Sequence, residues 1–146
     1  MTNPRPFRFG VVASAPQSRQ AWHEQARRAE ALGFATLQIW DHFDAQPAAL
    51  PAIVAAADAT TTLRFGTQVL ANDFRHPALL AREAATVDLL SDGRFELGLG
   101  AGWNADEYRR AGVAFDPPGV RVERLRESVQ ILKRLLAGGP VSFAGR

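Results

Sequence analysis

The sequence of 146 residues contains no cysteine, and its only lysine is Lys133. Without a thiol, the chain can form neither a disulfide nor a thiolate zinc site, and it has no cysteine nucleophile. It also lacks an apolar run of the ~18–20 residues that a membrane helix needs. The first six residues, Met1–Pro6, are too short and too polar for a signal peptide. We therefore expect a cytoplasmic protein with no membrane partner.

Long runs of one charge sign are absent as well. Seventeen basic and fifteen acidic residues give a formal net charge of only +2. The two signs are interleaved, as in residues 23–30 and 121–127, where arginines alternate with glutamates. Nucleic-acid binding requires basic residues gathered on one surface, whereas this pattern is typical of solvated helix faces. We expect no nucleic-acid partner.

Strand patterns and helix patterns alternate four times along the chain. The predicted strands are Phe7–Val12, Thr36–Trp40, Leu63–Leu70 and Arg94–Leu99, and the predicted helices are Arg19–Leu32, Pro51–Thr60, a helix from Pro77 and Val122–Leu136. Successive strands begin roughly 29 residues apart, the length of a βα unit, which predicts a parallel sheet in an α/β fold. An open sheet and a barrel both fit this pattern. A complete (β/α)₈ barrel takes about 250 residues, so residues 1–146 are interpreted as a single domain of four units.

The last helix has a clear apolar period. Its expected buried stripe is Val122, Leu125, Val129, Leu132 and Leu136. At the end of the first helix, Gly33 occupies the position of a left-handed cap. His76 precedes Pro77, and we interpret it as part of the entry to the third helix rather than as a functional group.

Polar residues follow the second, third and fourth strands, in residues 40–43, 71–76 and 98–104. Because ligands in parallel α/β folds bind at the carboxyl ends of the strands, these segments predict one shared site. His42 is the candidate catalytic residue, since imidazole can donate or accept a proton near neutral pH. Asp41 could orient His42, bind a cofactor or cap the loop. Asn72 is placed in the same site by its position after the third strand.

Three alternating glycines, Gly98, Gly100 and Gly102, follow the fourth strand. The spacing is not the dinucleotide fingerprint, in which the third glycine comes one residue later and the turn leads directly into a helix. Two interpretations stay open. The glycines could admit a planar ligand close to the backbone, or they could serve a turn that needs positive φ.

Residues 75–103, from Arg75 through the Ser91-Asp92-Gly93-Arg94 turn to Trp103, resemble the luciferase-like monooxygenase superfamily, in particular its deazaflavin-dependent branch. Residues 40–43 and 64–69 match two further motifs of that superfamily. The resemblance covers essentially the whole chain. It implies a (β/α)₈ TIM-type barrel, of which the chain would be a four-unit (β/α)₄ half with parallel strands.

The resemblance also implies a cofactor, either coenzyme F420 or, as the alternative, FMN. The family histidine near the reactive ring falls on His42, and its acidic neighbour falls on Asp41. A non-prolyl cis peptide that bulges against the ring would fall at Gln68–Val69. Family cofactor contacts fall on Gly100, Ala101 and Gly102, and no metal site is expected.

The chain departs from the family at Trp103, where the sugar-phosphate dehydrogenases have a carboxylate, so that reaction is not expected here. The second half of the family barrel, which supplies much of the cofactor phosphate binding, is not among these 146 residues. The leading hypothesis is hydride transfer between F420 and a small organic substrate. An FMN-dependent monooxygenase and a non-catalytic half-barrel assembly or cofactor-binding module are the alternatives.

The four-unit interpretation also predicts a partner. The first and fourth strands would be open edges, and the concave face of the sheet would be apolar and exposed. We therefore expect a homodimer, or association with a second half-barrel.

Overall fold

The computed structural model describes residues 7–13, 15–43, 47–138 and 140–145. Its strands are β1 (Gly10–Val12), β2 (Thr36–Ile39), β3 (Arg64–Thr67), β4 (Leu70–Ala71), β5 (Phe95–Glu96) and β6 (Leu99–Gly100). Its helices are α1 (Arg19–Ala31), α2 (Ala49–Ala57), α3 (Pro77–Leu90), α4 (Ala105–Ala111) and α5 (Pro118–Leu136), with a 3₁₀ turn at Asn72–Phe74. Within these residues, no helix combines the length and apolar character needed to cross a membrane.

The strands form one parallel sheet in the order β1-β2-β3-β5. The short strands β4 and β6 pair in parallel just beyond β3 and β5. The prediction of an α/β fold with parallel strands is therefore confirmed. The third and fourth predicted strands are each divided in two, because the chain bends between Thr67 and Leu70 and between Glu96 and Leu99.

Local signals set the helix ends, and those at Gly33 and His76 were expected from the sequence. The Ser18 side chain accepts a hydrogen bond from the Ala21 amide and caps α1, and Gly33 follows with a φ of 80°. His76 caps α3 by accepting from the Ala78 amide, with Pro77 in the first turn. The interpretation of His76 as helix entry is therefore confirmed.

The apolar core lies between one face of the sheet and the helices. Leu37 and Ile39 of β2 and Phe65 of β3 are completely buried on this face. Trp22 of α1 packs into the same core and donates its indole N–H to the Ala52 carbonyl of α2 at 2.8 Å. Alternation along the strands therefore directs every second residue to the helices.

The opposite face of the sheet is polar, which contradicts the expected apolar concave surface. The Glu96 carboxylate accepts hydrogen bonds from Arg8 and Arg64, each at 2.7 Å, across the width of the sheet. Burial raises the pKa of Glu96, but the hydrogen bonds and charges of these two arginines outweigh it and lower the pKa. Gln38 and Gly66 continue this face towards the carboxyl ends of the strands. Ion pairs and glycines thus replace the expected apolar layer.

The last helix was predicted only in part. It begins at Pro118 rather than Val122, and it turns a different face inward. Val122, Val129 and Leu136 of the expected stripe are exposed, while Leu132 is buried together with Arg121 and Ser128. The apolar period alone misplaced the buried stripe because Arg124 of α5 binds Asp73 in the 3₁₀ turn and Asp116, and these polar contacts fix the rotation of α5 about its axis.

Glu30 joins α1 to the loop before β3. Its Oε1 atom accepts the backbone N–H groups of Thr61, Thr62 and Leu63 and the Thr62 hydroxyl, at 2.6–3.0 Å. Desolvation raises the pKa of this carboxyl, but the four hydrogen bonds outweigh it and lower the pKa from 4.5 to about 2. The ionised form is thus stabilised in the folded protein.

We expect Glu30→Gln to reduce the free energy of unfolding at pH 7 by about 1–2 kcal/mol, because the site lies near the surface and solvent weakens the interaction. Because the pKa of Glu30 is lower in the folded than in the unfolded protein, the ionised carboxylate stabilises the folded state at pH values above about 4.5. This stabilisation is lost as the pH falls from about 4.5 to about 2, where the carboxyl becomes protonated. The difference between wild type and variant should therefore shrink over that interval in urea titrations. Glu83→Gln, on the exposed side of α3, is the control and should match wild type; a constant difference between wild type and Glu30→Gln down to pH 2 would contradict the assignment.

Candidate active site

A cleft of about 320 Å³ lies at the carboxyl ends of the strands. Its lining residues are Asp41, His42, Gln68, Val69, Ala71, Phe74, Gly100, Ala101, Gly102, Trp103, Asn104, Glu107 and Tyr108. Seven of the eight site residues predicted from the sequence thus line one cleft. The exception is Asn72, which is buried at the start of the 3₁₀ turn and donates its amide to Asp73. The expectation that Asn72 shares this site with His42 is not met.

His42 is held by a carboxylate that sequence reasoning missed. Its Nδ1 atom lies 2.8 Å from Oε1 of Glu107, a largely buried residue of α4. The same oxygen accepts the backbone N–H of Phe43 at 3.3 Å, and Arg110 donates to the Phe43 carbonyl at 2.7 Å. Because a carboxylate accepts hydrogen bonds, Nδ1 of His42 is the donor in this pair, and among the described residues Nε2 has no hydrogen-bond partner.

Asp41 does not orient His42. Both of its carboxylate oxygens bind Arg75, at 2.5 and 2.8 Å, and Oδ2 also accepts the Ala71 amide at 3.2 Å. This bidentate pair joins the end of β2 to β4 and the 3₁₀ turn that follows it. Asp41 thus links two loops at the cleft wall, and its role in cofactor binding stays a prediction.

The cleft lining also contains a cis peptide bond between Gln68 and Val69, as the family resemblance predicted. The backbone N–H of Gln68 donates a hydrogen bond to the Ile39 carbonyl at 2.8 Å. Beside it, Thr67 and Gly98 exchange two hydrogen bonds through the Thr67 hydroxyl, at 2.8 and 2.9 Å. These contacts fix the bend between β3 and β4 and leave the Val69 side chain partly exposed in the cleft.

The three glycines after the fourth strand are explained by contacts within the protein. A Cβ at Gly98 would overlap the Thr67 carbonyl, and one at Gly100 would overlap the Val69 side chain. Gly102 has a φ of 76°, and a Cβ there would overlap the Tyr108 hydroxyl. Thus the turn interpretation is confirmed at Gly102, while Gly98 and Gly100 bring β5 and β6 against the bent third strand.

A buried polar network anchors the segment that carries Glu107. Oδ2 of Asp73 accepts the Tyr108 hydroxyl at 3.1 Å and Arg124 of α5 at 2.8 Å. Arg124 also binds Asp116 at 2.5 Å, and both partners raise its pKa. Burial, together with the charge and hydrogen bond of Asp73, raises the pKa of Tyr108 to about 12. The phenol therefore remains a donor throughout the neutral range and holds α4 over the cleft.

This network has no simple signature in the sequence. Glu107 is 65 residues from His42, and Arg124 is 51 residues from Asp73. No helix was predicted between the fourth strand and Val122, yet this segment contains α4, capped by Asn104 and ended by Gly112 in a left-handed conformation. The Asn104 and Gly112 cap pattern was the signal that could have located this helix. In the part of the chain described here, no group of three or more His, Asp or Glu side chains is placed to hold a metal ion.

The comparisons with known proteins bear on the family and the fold. A family model described as luciferase-like monooxygenase matches residues 5–146. An F420-dependent glucose-6-phosphate dehydrogenase of Amycolatopsis mediterranei is 36% identical over 148 residues, which cover 95% of this chain and 44% of that protein. A protein of the same name from Nakamurella multipartita is 35% identical, with 97% and 44% covered. The chain therefore spans about 44% of the length of these curated relatives.

Two solved structures show the same fold. An F420-dependent secondary alcohol dehydrogenase in complex with an F420-acetone adduct is 31% identical, with a TM-score of 0.81 over 94% of this chain and 44% of that one. The monooxygenase RslO1 from Streptomyces bottropensis is 27% identical, with a TM-score of 0.80; the match covers 96% of this chain and 46% of RslO1. These neighbours are TIM-barrel proteins, and the chain covers less than half of each, so the half-barrel prediction is confirmed. The chain belongs to the luciferase-like monooxygenase family.

Proposed function

We propose that this chain forms the catalytic face of an oxidoreductase that transfers hydride between coenzyme F420 and a small organic substrate. The observation that carries the proposal is the His42–Glu107 pair, which lines the same cleft as the cis Gln68–Val69 peptide. Support also comes from two relatives above 30% identity whose names specify F420.

The residues of the cleft fit the ring portion of a deazaflavin. A volume of about 320 Å³ lies at the lower end of small-molecule pockets, enough for a ring system but not for a long tail. Val69 and the Gly100–Gly102 segment would contact the ring, with His42 on the opposite side. When bound, the cofactor would supply the hydride chemistry, while the protein positions the substrate and moves a proton.

His42 would handle that proton. With Nδ1 committed to Glu107, Nε2 can take a proton from a substrate hydroxyl or return it to a substrate oxygen. The Glu107 carboxylate stabilises the imidazolium that forms and keeps the ring oriented. Glu107 is thus a positioning residue for His42.

Retention of the cofactor tests the proposal. We expect F420 to remain with the protein through gel filtration, followed by its absorbance, and FMN to be lost under the same conditions. Val69→Asp should weaken F420 retention about tenfold or more, because it sets a carboxylate against the ring. Leu79→Asp, on the exposed surface of α3, is the matched control and should leave retention unchanged.

Other outcomes favour the alternatives. Retention of FMN in place of F420 would favour an FMN-dependent monooxygenase, a function supported by the similarity to RslO1. A folded protein that retains neither cofactor would favour a non-catalytic module. If Val69→Asp retained F420 as well as wild type does, the proposed contact between Val69 and the cofactor ring would be refuted.

We also propose that the chain associates, either with a copy of itself or with a second half-barrel. In the described residues, β1 and β5 are the two ends of the sheet, and Phe7 and Phe9 beside β1 are 92% and 70% exposed. We expect sedimentation velocity at low micromolar concentration to show a dimer. Phe9→Ser should shift the equilibrium towards monomer, whereas Leu89→Ser on α3 should not; a monomeric wild type would end this proposal.

A further inference from the structure

Asp73, in the 3₁₀ turn after β4, is a buried carboxylate that the proposed chemistry does not use. Its side chain is 1% exposed. Its Oδ2 atom accepts the Tyr108 hydroxyl at 3.1 Å and Arg124 at 2.8 Å, and its Oδ1 atom accepts the Asn72 amide at 3.3 Å. A buried carboxylate adds little to stability, because desolvation offsets the attraction of its partners, but it holds those partners in one geometry. Asp73 therefore fixes the position of the Tyr108 side chain.

The position of Tyr108 matters because it follows Glu107 on α4. These two side chains are the buried ones of this helix. Neighbouring residues of a helix point about 100° apart, so one side chain reaches His42 and the other reaches Asp73. A helix of seven residues is not stable by itself in water, so its tertiary contacts decide where it lies. Two buried contacts in different directions fix both the place of α4 and its rotation about its axis.

The same turn also holds the chain beside His42. Arg75 directly follows the turn and binds both carboxylate oxygens of Asp41, the neighbour of His42. This ion pair is largely buried, with 21% of the Arg75 side chain and 7% of the Asp41 side chain exposed. Asp73 and Arg75 are two residues apart. One short segment is thus bound on one side to the loop of His42 and on the other to the helix that carries Glu107.

Resting on the proposed function, we propose that Asp73 is a positioning residue for the proton transfer: through Tyr108 it holds the Glu107 carboxylate at Nδ1 of His42. Among the described residues that line the cleft, Asp73 is absent, so its effect on the reaction passes through α4. Without the Tyr108 hydrogen bond, α4 turns about its contact at Glu107 and the imidazole loses its fixed orientation. Misplacement of a catalytic group slows the chemical step more than it weakens substrate binding.

The proton on Nδ1 of His42 reports this geometry without turnover. The chain has three histidines, and the signals of His42 in the ¹⁵N-labelled protein are those missing from His42→Ala. Tyr108→Phe removes one hydroxyl and keeps the aromatic ring, and it should speed exchange of the Nδ1 proton with water about threefold to tenfold. Asp73→Ala should do the same. Asp73→Asn should stay close to wild type, because its amide oxygen still accepts the Tyr108 hydroxyl.

Turnover separates positioning from packing. In the cofactor-loaded protein, Tyr108→Phe should lower kcat about tenfold with little change in KM. Because Tyr108 acts through Glu107, adding Tyr108→Phe to Glu107→Gln should cause no further loss, whereas independent effects multiply. The control is Thr60→Val, which also removes a buried hydroxyl but lies beside Arg94 on the amino-terminal side of the sheet. It should leave both the Nδ1 proton and kcat unchanged.

Two results would overturn the inference. One is an Nδ1 proton of His42 that exchanges at the wild-type rate in both Tyr108→Phe and Asp73→Ala. The other is a double variant whose loss is the product of the two single losses. The NMR measurement needs no cofactor, so a wild type that reduces no F420, but whose Nδ1 proton responds to Tyr108→Phe, would refute the proposed function and uphold the contact of Asp73 with the pair.

Discussion

We expect His42→Ala to lower kcat/KM of the cofactor-loaded protein about 10²–10⁴-fold, the usual contribution of a positioned acid–base group. The physical reason is the loss of the one imidazole that lines the cleft in the described part of the chain, whose Nδ1 is bound to Glu107 so that Nε2 can exchange a proton with the substrate. The measurement is the rate of F420 reduction, followed by the absorbance of the cofactor, with a small secondary alcohol as the substrate. F420 retention should be unchanged, which separates a catalytic defect from a loss of binding.

His23→Ala is the matched control, because His23 lies on α1 and does not line the cleft; its kcat/KM should equal that of wild type. Glu107→Gln should lower kcat about tenfold to a hundredfold with little change in KM, since the imidazolium loses its carboxylate. Glu107→Asp should restore part of that loss. Wild-type turnover in His42→Ala would rule out its role, and equal losses in Glu107→Gln and Glu107→Asp would reduce Glu107 to a packing residue.

Arg94→Met should lower the free energy of unfolding by about 3–4 kcal/mol, the largest stability effect we expect in this chain. Arg94 is buried at the amino-terminal side of the sheet and donates to the carbonyls of Ala57, Leu63 and Ser91 and to the Thr60 hydroxyl, at 2.7–3.1 Å. Methionine fills the space but donates no hydrogen bond, so the buried Leu63 carbonyl would lose its guanidinium donor, and the Ala57 and Ser91 carbonyls would keep only their backbone N–H donors.

Urea denaturation monitored through the buried Trp22 measures the effect. Arg82→Met on the exposed side of α3 makes the same chemical change and should alter stability by less than about 0.5 kcal/mol. Arg94→Lys should recover only part of the loss, because an ammonium group cannot span four acceptors as a planar guanidinium does. If Arg94→Met were as stable as Arg82→Met, the hydrogen bonds of Arg94 would contribute nothing to folding.

Much of the fold followed from local and periodic signals. The spacing of strands and helices predicted parallel βα units, and alternation along β2 and β3 separates the core residues from those of the opposite face. The face away from the helices was judged wrongly. Its residues were expected to be apolar because the strands contain many apolar residues. The positions on this face, opposite the helices, instead hold Arg8, Arg64 and Glu96. A strand only two or three residues long carries too little pattern to show which face each residue occupies.

By itself, the sequence determined the class of fold, the family motifs, the left-handed cap at Gly33, the helix entry at His76 and the edge of the sheet where His42 lies, because each of these depends on neighbouring residues or on a fixed period. Only the tertiary structure decided that Glu107 binds His42, that Arg75 forms a salt bridge with Asp41, and that Asn72 lies outside the cleft. Such contacts join residues 30–65 positions apart, and their geometry depends on how the bent strands and α4 pack together. No local pattern encodes that packing.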